Sequence, residues 1–181
     1  MLKTTLKYGF LVAAIATSTA VMASDHTVSV GYAHVKVADL KLKGVNAKYR
    51  YEFGSPISLI ASATHASKKQ DYYFIDEDGD DGQGTEKLSY NSLLVGPAYR
   101  FNNFVSVYGV MGVAKSSYED NGYWYDYIGT YNYKESKTSF AYGVGVELNP
   151  TQNLAVGIGY EGSKVFEERA KGFNVSVGYK F

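Results

Sequence analysis

Apolar and polar positions alternate with period two along most of residues 26–181, and no stretch keeps the 3.6-residue period of a helix. In Phe173-Asn174-Val175-Ser176-Val177-Gly178-Tyr179-Lys180-Phe181 every odd residue is large and apolar or aromatic, and every even one is small or polar. Leu154, Val156, Ile158 and Tyr160 alternate in the same way with Ala155, Gly157, Gly159 and Glu161. So do Phe140, Tyr142, Val144, Val146 and Leu148 with Ala141, Gly143, Gly145 and Glu147, and the segments 45–53 and 93–101 repeat the pattern. The spacing predicts eight strands, near 26–36, 42–53, 57–69, 87–101, 104–119, 132–148, 154–167 and 171–181. Only in 104–119 does the facing stay open, because Val105, Val107 and Met111 compete with Tyr108 and Val110.

Turn lengths and face chemistry turn eight strands into a closed shape. Gly54-Ser55-Pro56, Asn102-Asn103 and residues 149–153 read as tight turns, whereas 70–86 and 119–131 read as long connections. Short turns at one end and long loops at the other characterise outer-membrane barrels, the short end facing the periplasm. A soluble eight-stranded barrel would point its large apolar residues inward; a membrane barrel inverts this. Here the second face is rich in Gly, Ala and Ser and also carries Lys48, Arg50, Glu52, Arg100, Glu147, Glu161 and Lys180. Small residues leave room for such charges to pair inside a narrow barrel, which burial requires of them. Tyr49, Tyr51, Phe53, Tyr99, Phe101, Leu148, Tyr179 and Phe181 bunch beside the short turns, where an interfacial aromatic girdle belongs. Pro97 inside a strand calls for a bulge or a break in the ladder. The expected fold is an all-β, eight-stranded antiparallel transmembrane barrel with short periplasmic turns and extended extracellular hairpins.

The first 23 residues fall outside this pattern. Lys3 and Lys7 precede a brief apolar run, Phe10 to Ala16, and small residues end in Val21-Met22-Ala23. This is the layout of a secretory signal peptide cleaved after Ala23, too short for a spanning helix of roughly 20 apolar residues. Residues 24–181 are then the exported barrel. Without Lys3 and Lys7 it has 16 basic and 18 acidic residues, a net charge of about −2 that does not favour nucleic acid. It has no cysteine, so packing and hydrogen bonding must hold it together.

At this point the chain resembles a family, the Ail/Lom family of enterobacterial outer-membrane proteins, which includes the OmpX-like proteins. The resemblance rests on Asn46-Ala47-Lys48-Tyr49-Arg50-Tyr51-Glu52, Val95-Gly96-Pro97-Ala98-Tyr99-Arg100-Phe101, residues 107–113, residues 142–150 and Val177-Gly178-Tyr179-Lys180-Phe181. It implies an outer-membrane location and a surface protein that adheres to host cells or matrix, with complement resistance as a related role. For the OmpX-like members it implies a structural envelope role, holding lipopolysaccharide and easing surface stress. The terminal Phe181 looks like the signal read by the barrel-assembly machinery during insertion. These are barrel motifs, so they speak more strongly to fold than to activity.

Candidate chemistry is sparse. Residues 118–133, YEDNGYWYDYIGTYNY, hold six of the 18 tyrosines and the only tryptophan. Lying on the long-loop side, they belong to a hairpin projecting beyond the membrane, with some rings stacked across strands and others exposed. Tyr123, Trp124, Tyr125, Asp126 and Tyr127 are the candidate surface-binding loop, because exposed Tyr and Trp give contact area at low entropic cost. Tyr118 and Tyr133 are expected to mark the outer-leaflet belt. Lys68, Lys69, Lys115, Lys134, Lys137 and Lys164, with Lys36, Lys41, Lys43, Arg169 and Lys171, lie at strand ends beside the long loops. They read either as a collar for lipopolysaccharide phosphates or as solvated rim charge. Residues 76–84 are acidic, but an EF-hand beginning at Asp76 would need Gly at 81 and Glu at 87, where the chain has Asp81 and Lys87. That segment is a flexible acidic loop with at most weak divalent-cation binding. His26, His34 and His65 stand alone, no nucleophile–base constellation is evident, and neither catalysis nor a cofactor or metal is expected. An interior filled by side chains also excludes a pore.

Overall fold

The computed structural model describes residues 25–75, 81–124, 130–166 and 168–181. The expected signal segment, residues 1–23, lies outside them. Eight strands follow in order: β1 (His26–Val37), β2 (Leu40–Glu52), β3 (Ile57–Ile75), β4 (Asp81–Arg100), β5 (Val105–Trp124), β6 (Thr130–Leu148), β7 (Leu154–Val165) and β8 (Glu168–Lys180). Each pairs antiparallel with its neighbour, and β1 pairs with β8, with Val30 opposite Val177, to close a barrel.

The alternation is carried into the closed form. Val30, Val45, Leu93, Met111, Phe140 and Val144 are exposed on the outside, while Ser29, Ser58, Ser62, Thr64, Ser106 and Ser176 are buried within. The open facing of β5 resolves with Tyr108 and Val110 inward and Met111 and Val113 outward. Space decides it: the Tyr108 ring lies over Gly145 and Gly159, whose missing side chains make room for it. The interior is also less polar than small and charged residues alone would make it. Val35, Leu42, Ile60, Tyr90, Leu94 and Val110 form a buried apolar layer, filling volume that the few long charged chains do not reach.

Pro97 pairs with Leu59 on its β3 side, but the β4–β5 ladder is interrupted there. Pairing stops at Val95–Met111 and resumes at Ala98–Tyr108 with no residue inserted, so the missing N–H produces a break and not a bulge. Beside the short turns, Tyr51 with Phe53 and Tyr99 with Phe101 make edge-to-face ring pairs 5.0 and 5.1 Å apart.

The largest departure from the sequence reading concerns the long connections. Residues 70–75 and 81–86 are strand, as are 119–124 and 130–131. β2 accompanies β3 only as far as Lys43–Ser67, and β7 accompanies β6 only at and below Ser163–Ala141. Above those levels β3, β4, β5 and β6 continue as a free-standing four-stranded sheet, about 25 Å tall at the usual strand rise. Both faces are wet there, so the hydrophobic alternation that marks a half-buried strand disappears from the sequence while the ladder continues. The other two outer connections are tight turns, with Ala38 and Phe166 at positive φ of 50° and 53°.

Candidate functional site

Two features stand out: a charged cluster inside the barrel and the two-faced sheet above it. Arg50 of β2 reaches across the interior to Glu147 of β6 at 2.8 Å, and its Nε donates to Ser58 Oγ at 2.8 Å. Glu52 accepts from Lys180 at 2.7 Å and from Arg100, and lies 3.6 Å from Arg50. Lys48 and Glu161 are held by neutral groups instead. Lys48 donates to Asn174 Oδ1 at 2.6 Å and Ser176 Oγ at 3.1 Å, with its Nζ 5.6 Å from the centre of the Tyr108 ring. Glu161 accepts from Thr64 at 2.9 Å and Ser92 at 3.1 Å. The seven interior charges thus divide into a five-membered ion cluster near the short turns and two hydrogen-bonded single charges above it.

In the projecting sheet the register sets residues in rows. On the inner face Tyr72, Gly84, Gly122 and Tyr131 form one row across four strands. The two tyrosine rings lean over the two glycines, their hydroxyls bond to each other, and Tyr72 donates to Asp120 at 2.9 Å. Phe74 covers Gly82 likewise. The bond to Tyr131, burial and the Asp120 carboxylate raise the Tyr72 pKa well above the ordinary phenol value. Tyr118 meets Tyr133 edge-on at 6.3 Å on this same face, and burial with the Glu86 carboxylate pushes its pKa up to about 12. The expectation that Tyr118 and Tyr133 mark the outer-leaflet belt is therefore corrected: register turns them away from lipid, into the sheet's inner face.

Outer-face rows are different. Ser67, Ser89, Ser117 and Ser136 form one; Lys69, Lys87, Glu119 and Lys134 the next; Asp71, Thr85, Asn121 and Asn132 the one above. Lys134 pairs with Glu119 at 2.6 Å and holds its carboxyl below the usual range; Thr85 and Lys69 do the same for Asp71. Lys87 belongs to this outer row although the sequence reading includes it only as the residue that breaks the calcium register; its parity with Leu93 and Val95 is the signal that places it outward.

Of the collar lysines, Lys69, Lys115 and Lys134 share the outer face, while Lys68 and Lys137 have the parity of the inner face. Lys164 pairs with Arg169, and these two with Lys171 line a cavity of about 570 Å³ that also touches Phe140, Tyr142 and Tyr160. In the candidate binding loop, Tyr123 donates its hydroxyl to Gln83 at 3.0 Å, and Trp124 is the last residue of β5. Tyr125, Asp126 and Tyr127 lie outside the described residues. Of the acidic segment 76–84, residues 81–84 are part of β4 and the rest also lies outside. Among the described residues no group of three or more His, Cys, Asp or Glu is placed to hold a metal ion.

The inner-face row makes a prediction whose sign opposes strand propensity. Valine favours strands over glycine, yet a Cβ at Gly84 would run into the Tyr72 ring. Gly84→Val should destabilise the projecting sheet by about 1–3 kcal/mol. Amide exchange should speed up in residues 68–75 and 81–88 and stay unchanged in β1 and β8; slower exchange would show that the rings do not rest on the glycines.

Comparison with known proteins bears on this geometry. The family model described as Enterobacterial Ail/Lom protein matches residues 5–181. The Virulence membrane protein PagC of Salmonella typhimurium is 39% identical over 163 residues, 88% of each chain. Outer membrane protein X of Escherichia coli K12 is 34% identical over 163 residues, again 88% of each. The crystal structure of Ail, the attachment invasion locus protein of Yersinia pestis, in complex with the heparin analogue sucrose octasulfate, superposes with a TM-score of 0.72 at 31% identity. That match covers 88% of this chain and 100% of the other.

Proposed function

Because the chain belongs to the enterobacterial Ail/Lom family of outer-membrane barrels, we propose that it is a surface adhesin that attaches the cell to host cells or matrix, with complement resistance arising from the same surface. The observation that carries this reading is the four-stranded sheet standing clear of the barrel. A protein whose task ended at the membrane would have no use for strands of 19 and 20 residues where roughly 9–11 cross the bilayer. The sheet carries Tyr123 near the end of β5, within the proposed aromatic loop Tyr123 to Tyr127, and a cation-rich outer row in which Lys69, Lys87 and Lys134 flank Glu119. The heparin analogue bound by the Yersinia pestis protein supports a sulfated matrix polysaccharide as one ligand class. Export through a cleaved signal peptide, residues 1–23, and insertion by the barrel-assembly machinery through Phe181 belong to the same proposal.

Removing Tyr123–Tyr127 should lower binding to host cells or matrix by about tenfold or more, as the loss of central aromatic anchors does, while heat-modifiable gel mobility stays normal. Unchanged binding by the folded variant would sink the site assignment. A second reading, a structural envelope protein that holds lipopolysaccharide, is favoured by one feature. Lys164, Arg169 and Lys171 meet Phe140, Tyr142 and Tyr160 around one cavity, an arrangement suited to a phosphorylated amphiphile. Normal adhesion combined with detergent sensitivity in cells lacking these cations would favour that reading.

A further inference from the structure

The opposite end of the barrel carries a second polar site. A cavity of about 690 Å³ opens among the short turns, lined by Arg100 and Lys180 together with Asn103, Asn149, Gln152 and Asn153. The cations come from the interior face of β4 and β8, the amides from the turns after β4 and β6. Three observations bear on what it takes. First, the two cations in the cavity wall, Arg100 and Lys180, share the one carboxylate of Glu52 among the described residues. No acidic side chain lines the cavity among the described residues; Asp25 and the terminal carboxylate of Phe181 are not part of its wall. Second, Arg100 and Lys180 are partly exposed, at 18% and 15%, so an incoming anion can reach them. One Arg100 amine has only long contacts on the turn side, 3.4 Å to Asn149 Oδ1 and 3.5 Å to the Asn103 carbonyl. Third, the turns are held without using all their amides. Asn149 and Asn153 donate to the carbonyls of Leu154 and Lys180 at 3.1 and 2.8 Å. The side chains of Asn103 and Gln152 make no hydrogen bond within the described residues and keep their donors and acceptors for solvent or a ligand.

We propose that this mouth binds the carboxylate-bearing glycopeptide of the cell wall. A carboxylate would dock on Arg100 and Lys180, and the N-acetyl and peptide amides of the same ligand would bond to Asn103 and Gln152. The short turns face the periplasm, where that polymer lies. An inner-leaflet lipid is the poorer match, because among the described residues Phe104 and Pro150 are the only apolar side chains lining the cavity and acyl chains would find little to cover them. The site is independent of the adhesin reading, since it occupies the other end of the molecule and shares no residue with the projecting sheet.

The test uses the folded full barrel in detergent micelles, with purified cell-wall sacculi for co-sedimentation and a disaccharide–tetrapeptide released from them for titration by NMR. Wild type should co-sediment, and the disaccharide–tetrapeptide should shift the side-chain amides of Asn103 and Gln152. Amidating its carboxylates should weaken binding by about tenfold or more, the size of a lost charge-assisted bond. The double substitution Asn103→Ala with Gln152→Ala touches no internal hydrogen bond and should keep the barrel folded while weakening binding several-fold; Arg100→Gln should remove the preference for the carboxylate form. Failure of wild type to co-sediment, equal binding by the double variant, or shifts produced by phosphatidylglycerol and not by the glycopeptide would each overturn the proposal.

Discussion

Glu147→Ala is expected to lower the stability of the refolded barrel by about 3–5 kcal/mol, the usual cost of removing one partner from a buried ion pair. Arg50 and Glu147 are 2% and 3% exposed and meet at 2.8 Å on opposite sides of the interior. Arg50 cannot shed its proton, and its remaining contacts, Ser58 and a carboxylate 3.6 Å away in Glu52, do not replace the lost one. Glu52 already serves Arg100 and Lys180, so three cations would compete for one carboxylate. Urea unfolding in micelles, followed by heat-modifiable mobility, measures the loss. The double variant Arg50→Met with Glu147→Leu should regain most of it, because a buried pair replaced by apolar side chains of similar size is often neutral. A loss below about 1 kcal/mol in Glu147→Ala would mean that interior solvent, and not Glu147, balances Arg50.

Val144→Arg is the counterpart on the other face. Val144 is 57% exposed, lies midway along the outward residues Phe140 to Leu148 of β6, and is flanked by Gly109 and Tyr160. In water such a residue would tolerate a charge; at the centre of a bilayer an arginine costs about 2–4 kcal/mol. Insertion into lipid vesicles should fall accordingly. Ser117→Arg, outward on the same sheet but at the rim, between Lys115 and the row of Lys69, Lys87 and Lys134, should cost about 0–1 kcal/mol. Equal effects at the two positions would contradict the assignment of the outward band to lipid.

The interior charges show how far the sequence could be read. Parity alone puts Lys48, Arg50 and Glu52 on one face of their strand and Glu147 on the corresponding face of another, since a strand has only two faces. Which of them meet depends on closure and stagger, which bring residues 97 positions apart into contact in Arg50–Glu147 and 128 apart in Lys180–Glu52. Nothing local encodes those distances. Lys48 and Glu161 have the same parity as their neighbours, yet the stagger sets them beside amides and hydroxyls.

For the tyrosine-rich stretch the division is sharper. Its position on the long-loop side was legible, and so was the need for some of its rings to stack. That Tyr131 belongs over Gly122, with Tyr72 of a distant strand leaning in over Gly84, required the register of four strands. Glycine in a strand reads locally as weakness; only the neighbouring ring turns it into a packing site. The extent of the sheet was hidden for a related reason: wet on both faces, it lacks the alternation by which a strand announces itself.

The amino-acid order by itself therefore determined what a period of two can carry. It set the number and sequence of strands, the lipid and interior faces, and the end of the barrel that holds the short turns. The tertiary structure decided everything that depends on stagger between strands. It chose the partners of the buried charges, continued four strands beyond the membrane, and split the lysines between two faces. The physical reason is that facing is a property of a residue and its next neighbours, whereas register belongs to pairs of strands and is fixed only when all eight close together.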